Sequence, residues 1–287
     1  MLTSSANPLL ISVSPTIIAQ DSAASTAYSN GYSGQNGGFG FGAFTVVTST
    51  PSNTNNNSFA GSFIGDAAKS ENGSGGGVNS SGKSFGTYAN GAASSPADPS
   101  VTVTRGFNTG LTSGGSFSLD FLTGYNNGGT VGVTLITGSA SITGSAFQTR
   151  GADPFGSGTT VPVGSFVYNQ AQGAYDFNGN NTGIGYNSGP IHLVYSINSA
   201  TAYTLVSTGA VGFTGSGTYS GTLSGFQFQQ TNSDSNGGNP YNAFFNNLSE
   251  TAGTPASAAP EPSQLGVLLA VCLGGLALAA RKRLVCA

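Results

Sequence analysis

Residues 191–198 read IHLVYSIN, and this stretch decides the fold class because its large side chains alternate along the chain. In an extended strand Leu193, Tyr195 and Ile197 would all lie on one face, since successive side chains point to opposite sides. The same period of two recurs in GFQFQQT, residues 225–231. Both stretches therefore predict strands with one face turned towards an apolar core.

Eight further runs of this kind occur, and the ten together follow one another mostly at intervals of roughly 8–14 residues, the spacing of strands in a sandwich or barrel. With 191–198, the predicted strands are 41–49, 101–108, 116–124, 130–137, 164–170, 202–208, 217–222, 225–231 and 242–249.

Between Ala27 and Glu250 we find no run with the 3.6-residue period of a helix. Glycine-rich stretches such as Asn126-Asn127-Gly128-Gly129 supply the turn residues that hairpins need. Ten to twelve strands without helices predict an all-β domain over residues 27–250, built as a two-sheet jelly-roll sandwich.

The composition excludes several classes of function. Charged residues make up 6% of the 287 residues, against about 25% in an ordinary globular protein. Before the last seven residues the basic side chains are Lys69, Lys83, Arg105 and Arg150, too few for the basic patch that nucleic acids require. Both cysteines lie in the last 16 residues, so the body has no disulfide framework or thiolate metal site. We expect no cofactor.

The C-terminal part of the sequence has a different character. Residues 251–259, TAGTPASAA, are small and polar and predict a flexible linker. Leu265–Ala280 is an uncharged apolar run without proline, and no face of a helix built from it would be polar. This predicts a single transmembrane helix, with Arg281, Lys282 and Arg283 held on the cytoplasmic side.

The order of these parts resembles the PEP-CTERM sorting signal of Gram-negative bacteria. Pro260, Glu261 and Pro262 precede the apolar run, and the three basic residues follow it, so the signal spans residues 260–287. The resemblance implies recognition and cleavage by a membrane exosortase, followed by release to the cell surface or into an exopolysaccharide matrix. The body is similar to the concanavalin-like sandwiches found ahead of such tails, most clearly in its closing run NPYNAFFNNLSE.

An exported protein should begin with a signal peptide, which we place at residues 1–20. The apolar segment PLLISVSPTIIA, residues 8–19, suits its central region, but Pro15 interrupts it and no basic residue precedes it. An upstream start codon or an ordinary strand are the alternatives for this segment.

Several motifs match enzyme patterns by composition alone. Residues 77–84, GVNSSGKS, fit the phosphate-binding pattern, yet neither a buried strand before them nor a helix after them is predicted. Residues 82–86 fit the nucleophile elbow around Ser84, whose base would have to be His192, the one histidine.

The carboxylates give no better support for an enzyme. Asp98, Asp120, Asp153 and Asp176 could complete a triad only in a different fold. The glutamates of the body, Glu71 and Glu250, do not form the pair that a glycosidase needs. We expect a non-enzymatic protein.

We expect a structural or adhesive role at the cell surface or in an exopolysaccharide layer, and two binding functions stand beside it. Oxygen side chains at alternating positions make Asp176 and Asn178 one candidate calcium loop, and Asn232, Asp234 and Asn236 another. Neither loop has a glutamate at its twelfth position, and turns rich in Asn and Asp explain both.

Carbohydrate binding is the alternative function, because aromatic faces stack on sugar rings. The candidate tyrosines lie close to Asn-rich turns and are Tyr175, Tyr186, Tyr195 and Tyr241.

Overall fold

The computed structural model describes residues 14–50, 58–91, 99–138, 161–232 and 238–253. The chain divides into two compact units, residues 1–253 and 254–287. The first unit contains every described residue. The predicted linker beyond residue 253, the sorting signal and the membrane helix lie outside the described part of the chain.

The described residues of the first unit form fifteen strands and four short 3₁₀ segments. The strands are β1 (Ile17–Asp21), β2 (Phe41–Ser49), β3 (Phe59–Gly65), β4 (Ser84–Asn90), β5 (Ser100–Leu111), β6 (Ser116–Leu122), β7 (Thr130–Thr137), β8 (Val161–Asn169), β9 (Ala174–Phe177), β10 (Asn180–Gly185), β11 (Ile191–Ser199), β12 (Ala202–Gly209), β13 (Phe213–Thr218), β14 (Leu223–Thr231) and β15 (Ala243–Thr251). The 3₁₀ segments are Thr26–Tyr28, Ala67–Lys69, Glu71–Val78 and Asn239–Tyr241.

These strands form two antiparallel sheets. Sheet 1 has the order β13-β12-β11-β6-β15-β4-β3, and β1 also pairs with β15. Sheet 2 has the order β10-β9-β8-β7-β14-β5-β2. Strand β15 is therefore bonded on both sides, to β6 along one edge and to β4 and then β1 along the other. The all-β, two-sheet prediction is confirmed.

The core lies between the two sheets and is largely aromatic. Phe117 of sheet 1 stacks on Phe226 of sheet 2 with ring centroids 4.9 Å apart. Phe245 of sheet 1 meets Phe228 of sheet 2 at 4.7 Å. All four side chains are fully buried. The alternation in the sequence thus places one face of each central strand in the core, as predicted.

Most predicted strands agree with the structure within two or three residues, since alternation marks strands in the middle of a sheet. The prediction at 217–222 is wrong in position, because β13 ends at Thr218. Five strands were not predicted: β1, β3, β4, β9 and β10. In β3, β4 and β10, glycine, asparagine or serine hides the period of two, whereas β1 and β9 are only five and four residues long and too short to show it.

The sandwich begins before residue 27, the first residue of the predicted domain. Residues 17–20 of the predicted signal peptide form most of β1, and Ala19 is fully buried in the core. Residues 1–13 lie outside the described part. For residues 17–20 the structure thus shows an ordinary strand, one of the alternatives considered for this segment.

A buried ion pair links the N-terminal segment, residues 17–21, to sheet 2. The Asp21 carboxylate accepts hydrogen bonds from Arg105 Nη1 and from the Tyr28 hydroxyl. Arg105 is fully buried, and its Nε donates to the Gly42 carbonyl at 2.9 Å. Burial raises the pKa of Tyr28. These contacts explain why a cationic side chain is tolerated inside a core with so few charges.

Within the described residues, none of the helical segments has the length and apolar character needed to span a bilayer.

Candidate functional site

Five tyrosine rings form a continuous series of contacts, which we call the tyrosine run. Tyr241 lies 5.9 Å from Tyr125, and Tyr125 lies 6.2 Å from Tyr186, measured between ring centroids. Tyr186 then meets Tyr168 at 5.3 Å, and Tyr168 meets Tyr175 at 5.2 Å. The run joins side chains that are up to 116 positions apart in sequence (125 and 241).

Backbone hydrogen bonds between loops bring these rings together. The Tyr125 N–H donates to the Pro240 carbonyl at 2.8 Å, which joins the β6–β7 loop to the segment before β15. The Gln170 N–H donates to the Gly129 carbonyl at 3.1 Å and adds the β8–β9 turn. The tyrosine run therefore lies at one loop end of the sandwich.

The β6–β7 loop keeps its shape through an asparagine. Asn126 Oδ1 accepts hydrogen bonds from the backbone N–H groups of Gly128, at 3.2 Å, and Gly129, at 2.7 Å. An Asn side chain that bonds the backbone two or three residues on is a usual way to close such a turn. This turn fixes Tyr125, which directly precedes it.

The tyrosine run has a buried half and a surface half. Tyr168 and Tyr175 are 3% and 0% exposed, and burial raises the pKa of Tyr168. Tyr125, Tyr186 and Tyr241 are half-buried, so part of each ring faces solvent. Only these three rings can meet a ligand without a rearrangement of the core.

The sequence had singled out three members of the tyrosine run, and the structure brings all three into it. Tyr186 and Tyr241 lie in the surface half, whereas Tyr175 is a core residue, as is the fourth candidate, Tyr195. Tyr195 donates its hydroxyl to the Gly164 carbonyl at 2.9 Å. Tyr125 was missed, although its place beside an Asn-Asn-Gly-Gly turn was a usable signal.

Amide groups lie around the surface half. Asn127 Nδ2 donates to the Tyr241 hydroxyl at 3.3 Å, and Asn187 directly follows Tyr186. Asn187 Oδ1 accepts from the Gly189 N–H at 3.1 Å. The loops 123–129, 186–190 and 238–242 contain no charged residue. The surface here is aromatic and polar but neutral.

A second polar feature lies on the outer face of sheet 2, the face turned away from the core. Gln227 and Gln229 alternate with the buried Phe226 and Phe228, yet they are only 5% and 4% exposed. Gln227 Nε2 and both amide atoms of Gln229 have no hydrogen-bond partner within the described part of the chain. Asp176 Oδ1 is likewise buried without a hydrogen-bond partner among the described residues. Buried groups without partners are rare and call for an explanation.

The register places Gln229 and Asp176 in one row across the sheet, with Gln227 two residues away along β14. Gln229 pairs with Gly132 of β7, which pairs with Val167 of β8, and Val167 pairs with Asp176 of β9. Tyr168, the next residue along β8, belongs to the tyrosine run. The row of unpartnered groups thus lies directly beside the loop end that carries the tyrosines.

The first calcium candidate is a β-hairpin turn in the structure. Asn178 and Gly179 both have positive φ, 50° and 78°, as a two-residue hairpin turn requires. Asn178 Oδ1 accepts from the Ser165 N–H at 3.1 Å, while its Nδ2 donates to the Tyr203 hydroxyl at 2.7 Å. Asp176 Oδ2 accepts instead from Asn169 Nδ2 at 3.0 Å, and burial raises the Asp176 pKa. The two side chains therefore serve different contacts.

Of the second calcium candidate the structure describes Asn232, whereas Asp234 and Asn236 lie outside the described residues. No group of three or more His, Cys, Asp or Glu side chains suited to a metal occurs among the described positions. Calcium binding by either loop stays a sequence prediction.

The motifs that resemble enzyme signatures have other roles. Residues 77–84 lead into strand β4 and not into a helix, so the geometry needed for phosphate binding is missing there. Ser84 is fully buried and donates to Asn79 Oδ1 at 2.6 Å. Its hydroxyl is a structural hydrogen-bond donor.

His192 belongs to a polar network on the outer face of sheet 1. Its Nδ1 lies 2.6 Å from Asp120 Oδ1, and this hydrogen bond raises the pKa of His192. The other Asp120 oxygen accepts from Asn247 Nδ2 at 2.7 Å, and Ser80 donates to Asn247 Oδ1 at 2.5 Å. Within the described part of the chain, no hydroxyl or thiol is hydrogen-bonded to His192. The network orients the imidazole, and its one hydroxyl in these contacts, that of Ser80, is bonded to Asn247 and not to His192.

No family model matches this sequence. No curated protein matches it either.

Solved structures resemble the chain only distantly. The globular domain of T. cruzi calreticulin is 12% identical, covers 83% of this chain and 92% of its own, and has a TM-score of 0.40. A carbohydrate esterase from Shiga toxin-encoding bacteriophage phi24B is 12% identical, with coverage of 73% and 90% and a TM-score of 0.38.

A further similar structure is the family 11 carbohydrate-binding module from Clostridium thermocellum, in complex with a β-1,3-1,4-mixed-linked tetrasaccharide. It is 8% identical, covers 83% of this chain and 97% of its own, and has a TM-score of 0.32. Similarities at this level identify neither a ligand nor a reaction, so function has to be inferred from the geometry of the site.

Proposed function

We propose that this protein is a non-enzymatic carbohydrate-binding module whose ligand lies on the surface half of the tyrosine run. The observation that carries the proposal is that Tyr241, Tyr125 and Tyr186 lie side by side at the surface, with ring centroids 5.9 and 6.2 Å apart. Aromatic rings with a few convergent polar groups are the usual composition of a small-molecule site.

The chemistry of the surface half suits a neutral sugar chain. Tyrosine offers an apolar face for the C–H groups of a sugar ring, together with a hydroxyl that can hydrogen bond. The side-chain amides of Asn127 and Asn187 can donate to, or accept from, sugar hydroxyls. Because the surrounding loops are uncharged, nothing in them favours an acidic polysaccharide. A short neutral oligosaccharide segment spanning adjacent rings is the ligand class that fits.

Alanine substitutions in the surface half test the proposal. We expect Tyr186→Ala and Tyr241→Ala each to weaken binding of a neutral polysaccharide by about tenfold, equivalent to about 1.4 kcal/mol. The reason is that each change removes a stacking face while leaving the buried Tyr168 and Tyr175 in place. Affinity electrophoresis of the full-length protein in gels containing mixed-linkage β-glucan or xylan would measure the effect, with the anionic polysaccharide alginate as the negative comparison.

Tyr219→Ala is the matched control, since Tyr219 is half-buried at the opposite end of sheet 1, where its N–H bonds the Thr201 carbonyl. It should leave migration unchanged. The proposal fails if neither neutral polysaccharide retards the wild-type protein, if alginate alone retards it, or if Tyr219→Ala weakens binding as much as Tyr186→Ala.

We also propose that residues 260–287 sort this module to the cell surface as a PEP-CTERM signal and that the body is a concanavalin-like sandwich. The support for sorting is the order of Pro260-Glu261-Pro262, the apolar run Leu265–Ala280, and the basic cluster Arg281-Lys282-Arg283. The apolar run would hold the protein in the inner membrane, and an exosortase would then cleave near the Pro-Glu-Pro element. The released module would work at the surface or in the exopolysaccharide layer.

Intact-mass measurement tests this sorting step. We expect the surface-associated protein to lose the residues after the Pro-Glu-Pro element in cells that contain an exosortase, and to keep them in cells without one. An unchanged full-length mass in both strains would reduce the tail to an ordinary membrane anchor.

A further inference from the structure

Glu250 is a carboxylic acid buried inside the sandwich. Its side chain is 0% exposed, and neither carboxyl oxygen has a hydrogen-bond partner among the described residues. In register it lies opposite Phe117 of β6 and Ala19 of β1, both fully buried core residues. Because paired residues share a face of the sheet, the Glu250 carboxyl points into the core.

The charged groups near Glu250 are engaged elsewhere. On β1, Asp21 is bonded to Arg105 and Tyr28, and Arg105 is the cation that β5 contributes to this region. On β6, Asp120 faces the outer side of the sheet and is bonded to His192. With no described cation paired to it, Glu250 experiences desolvation alone, and burial raises its pKa from the ordinary 4.5 to about 7.

Strand β1 is the element beside Glu250 that can separate from the sheet most readily. It pairs with β15 at four positions, with an irregularity between Ile17 and Ala19. On its other side it meets the chain at Phe39, through two backbone hydrogen bonds with Gln20 of 3.0 and 3.1 Å. By contrast β6 is hydrogen-bonded to two strands along its length.

We propose that Glu250 is a proton-operated latch for strand β1. When the carboxyl is protonated, it remains in the core and Ile17–Gln20 stays docked on β15. When the carboxyl loses its proton, an anion without a partner is buried, which is strongly unfavourable. Opening of Ile17–Gln20 brings water to the carboxylate, while the ion pair of Asp21 with Arg105 keeps the end of the segment attached.

The direction of the pH dependence follows from linkage. The docked state binds the proton more tightly than the open state, so docking is favoured at low pH and is weakened as pH rises from about 4.5 to about 7. Above about 7 both states are ionised and the dependence ends. With these two values the opening equilibrium should increase about 25-fold between pH 5.5 and pH 8.

Hydrogen exchange of the full-length protein in detergent micelles tests the latch. After correction for intrinsic exchange rates, amides in Ile17–Gln20 should exchange about 25-fold faster at pH 8 than at pH 5.5. The rise should level off above about pH 7, whereas amides of the β11–β12 hairpin should not respond. In Glu250→Gln, which cannot ionise, the difference in β1 should disappear.

Asp120→Asn is the matched control, because it removes a carboxylate from the same sheet on the outer face, and it should keep the pH response of β1. Glu250→Met serves if Glu250→Gln does not fold. The latch is overturned if β1 of the wild type shows no pH response, if the response continues to rise through pH 9, or if either Glu250 variant retains it. These outcomes are independent of whether the tyrosine run binds sugar.

Discussion

Arg105→Met should lower the free energy of unfolding by about 3–5 kcal/mol, the usual cost of removing one partner of a buried ion pair. Arg105 is fully buried beside Asp21, with its guanidinium 4.1 Å from the ring centroid of Phe44. Methionine fills much of the same space but leaves the Asp21 carboxylate without its cation. The N-terminal segment, which Asp21 fastens to sheet 2, should become the least protected part of the domain.

Denaturant unfolding of the wild type and the variant, followed by circular dichroism, would measure this loss. Lys83→Met is the control, because Lys83 is an exposed cation in a turn and its loss should change stability by less than about 0.5 kcal/mol. Adding Asp21→Asn to Arg105→Met should recover part of the loss, since the orphaned charge is then gone. Equal stability of Arg105→Met and wild type would show that the pair does not hold the N-terminal segment.

Phe245→Ala should also lower the free energy of unfolding, by about 3–5 kcal/mol. Its ring is fully buried and is the meeting point of the two sheets in the aromatic core. It stacks on Phe85 of its own sheet at 5.2 Å and contacts Phe228 and Phe226 of sheet 2 at 4.7 and 6.3 Å. Truncation leaves a cavity between the layers that a sandwich of paired strands cannot close.

Phe39→Ala makes the same chemical change at a residue that is 54% exposed, and it should cost less than about 1 kcal/mol. The contrast between the two variants, measured as midpoints of thermal unfolding, isolates the contribution of packing between the sheets. If the two losses are equal, Phe245 does not have the central place that its ring contacts give it.

The central strands could be predicted from the sequence, because a buried face imposes a period of two that survives in a glycine-rich chain. Strand β2 was predicted with its observed bounds, and β7 likewise. Strand β10, NNTGIG, could not be found this way. It lies at the edge of sheet 2, where few side chains need to be apolar, so its sequence looks like a loop.

The candidate site was only partly predictable for a related reason. Tyr186 and Tyr241 were chosen because of the turns beside them, and the turn beside Tyr125 was a similar signal, but nothing local indicates that the three rings come into contact. That contact depends on a hydrogen bond between Tyr125 and Pro240, two residues far apart in the chain. The burial of Glu250 is equally hidden, since a glutamate near the end of a predicted strand looks like a solvated residue.

Gln227 and Gln229 bury side-chain amide atoms that have no hydrogen-bond partner among the described residues. Gln229 lies in the row next to the one that carries Tyr168, and both its donor and its acceptor are unmet there. Replacing them with apolar residues of similar size would remove buried polar groups and would not leave new ones unpaired. The two glutamines are therefore kept at a cost in stability.

The position of β15 inside sheet 1 also determines how the domain responds to mechanical load. The first compact unit ends at residue 253, two residues after β15, which is bonded to β6 on one side and to β4 and β1 on the other. Interstrand hydrogen bonds run across the strands, so tension along β15 loads many of them in shear at once. A terminal edge strand would instead peel away one bond at a time. The domain is thus built to resist a pull on its C-terminal end.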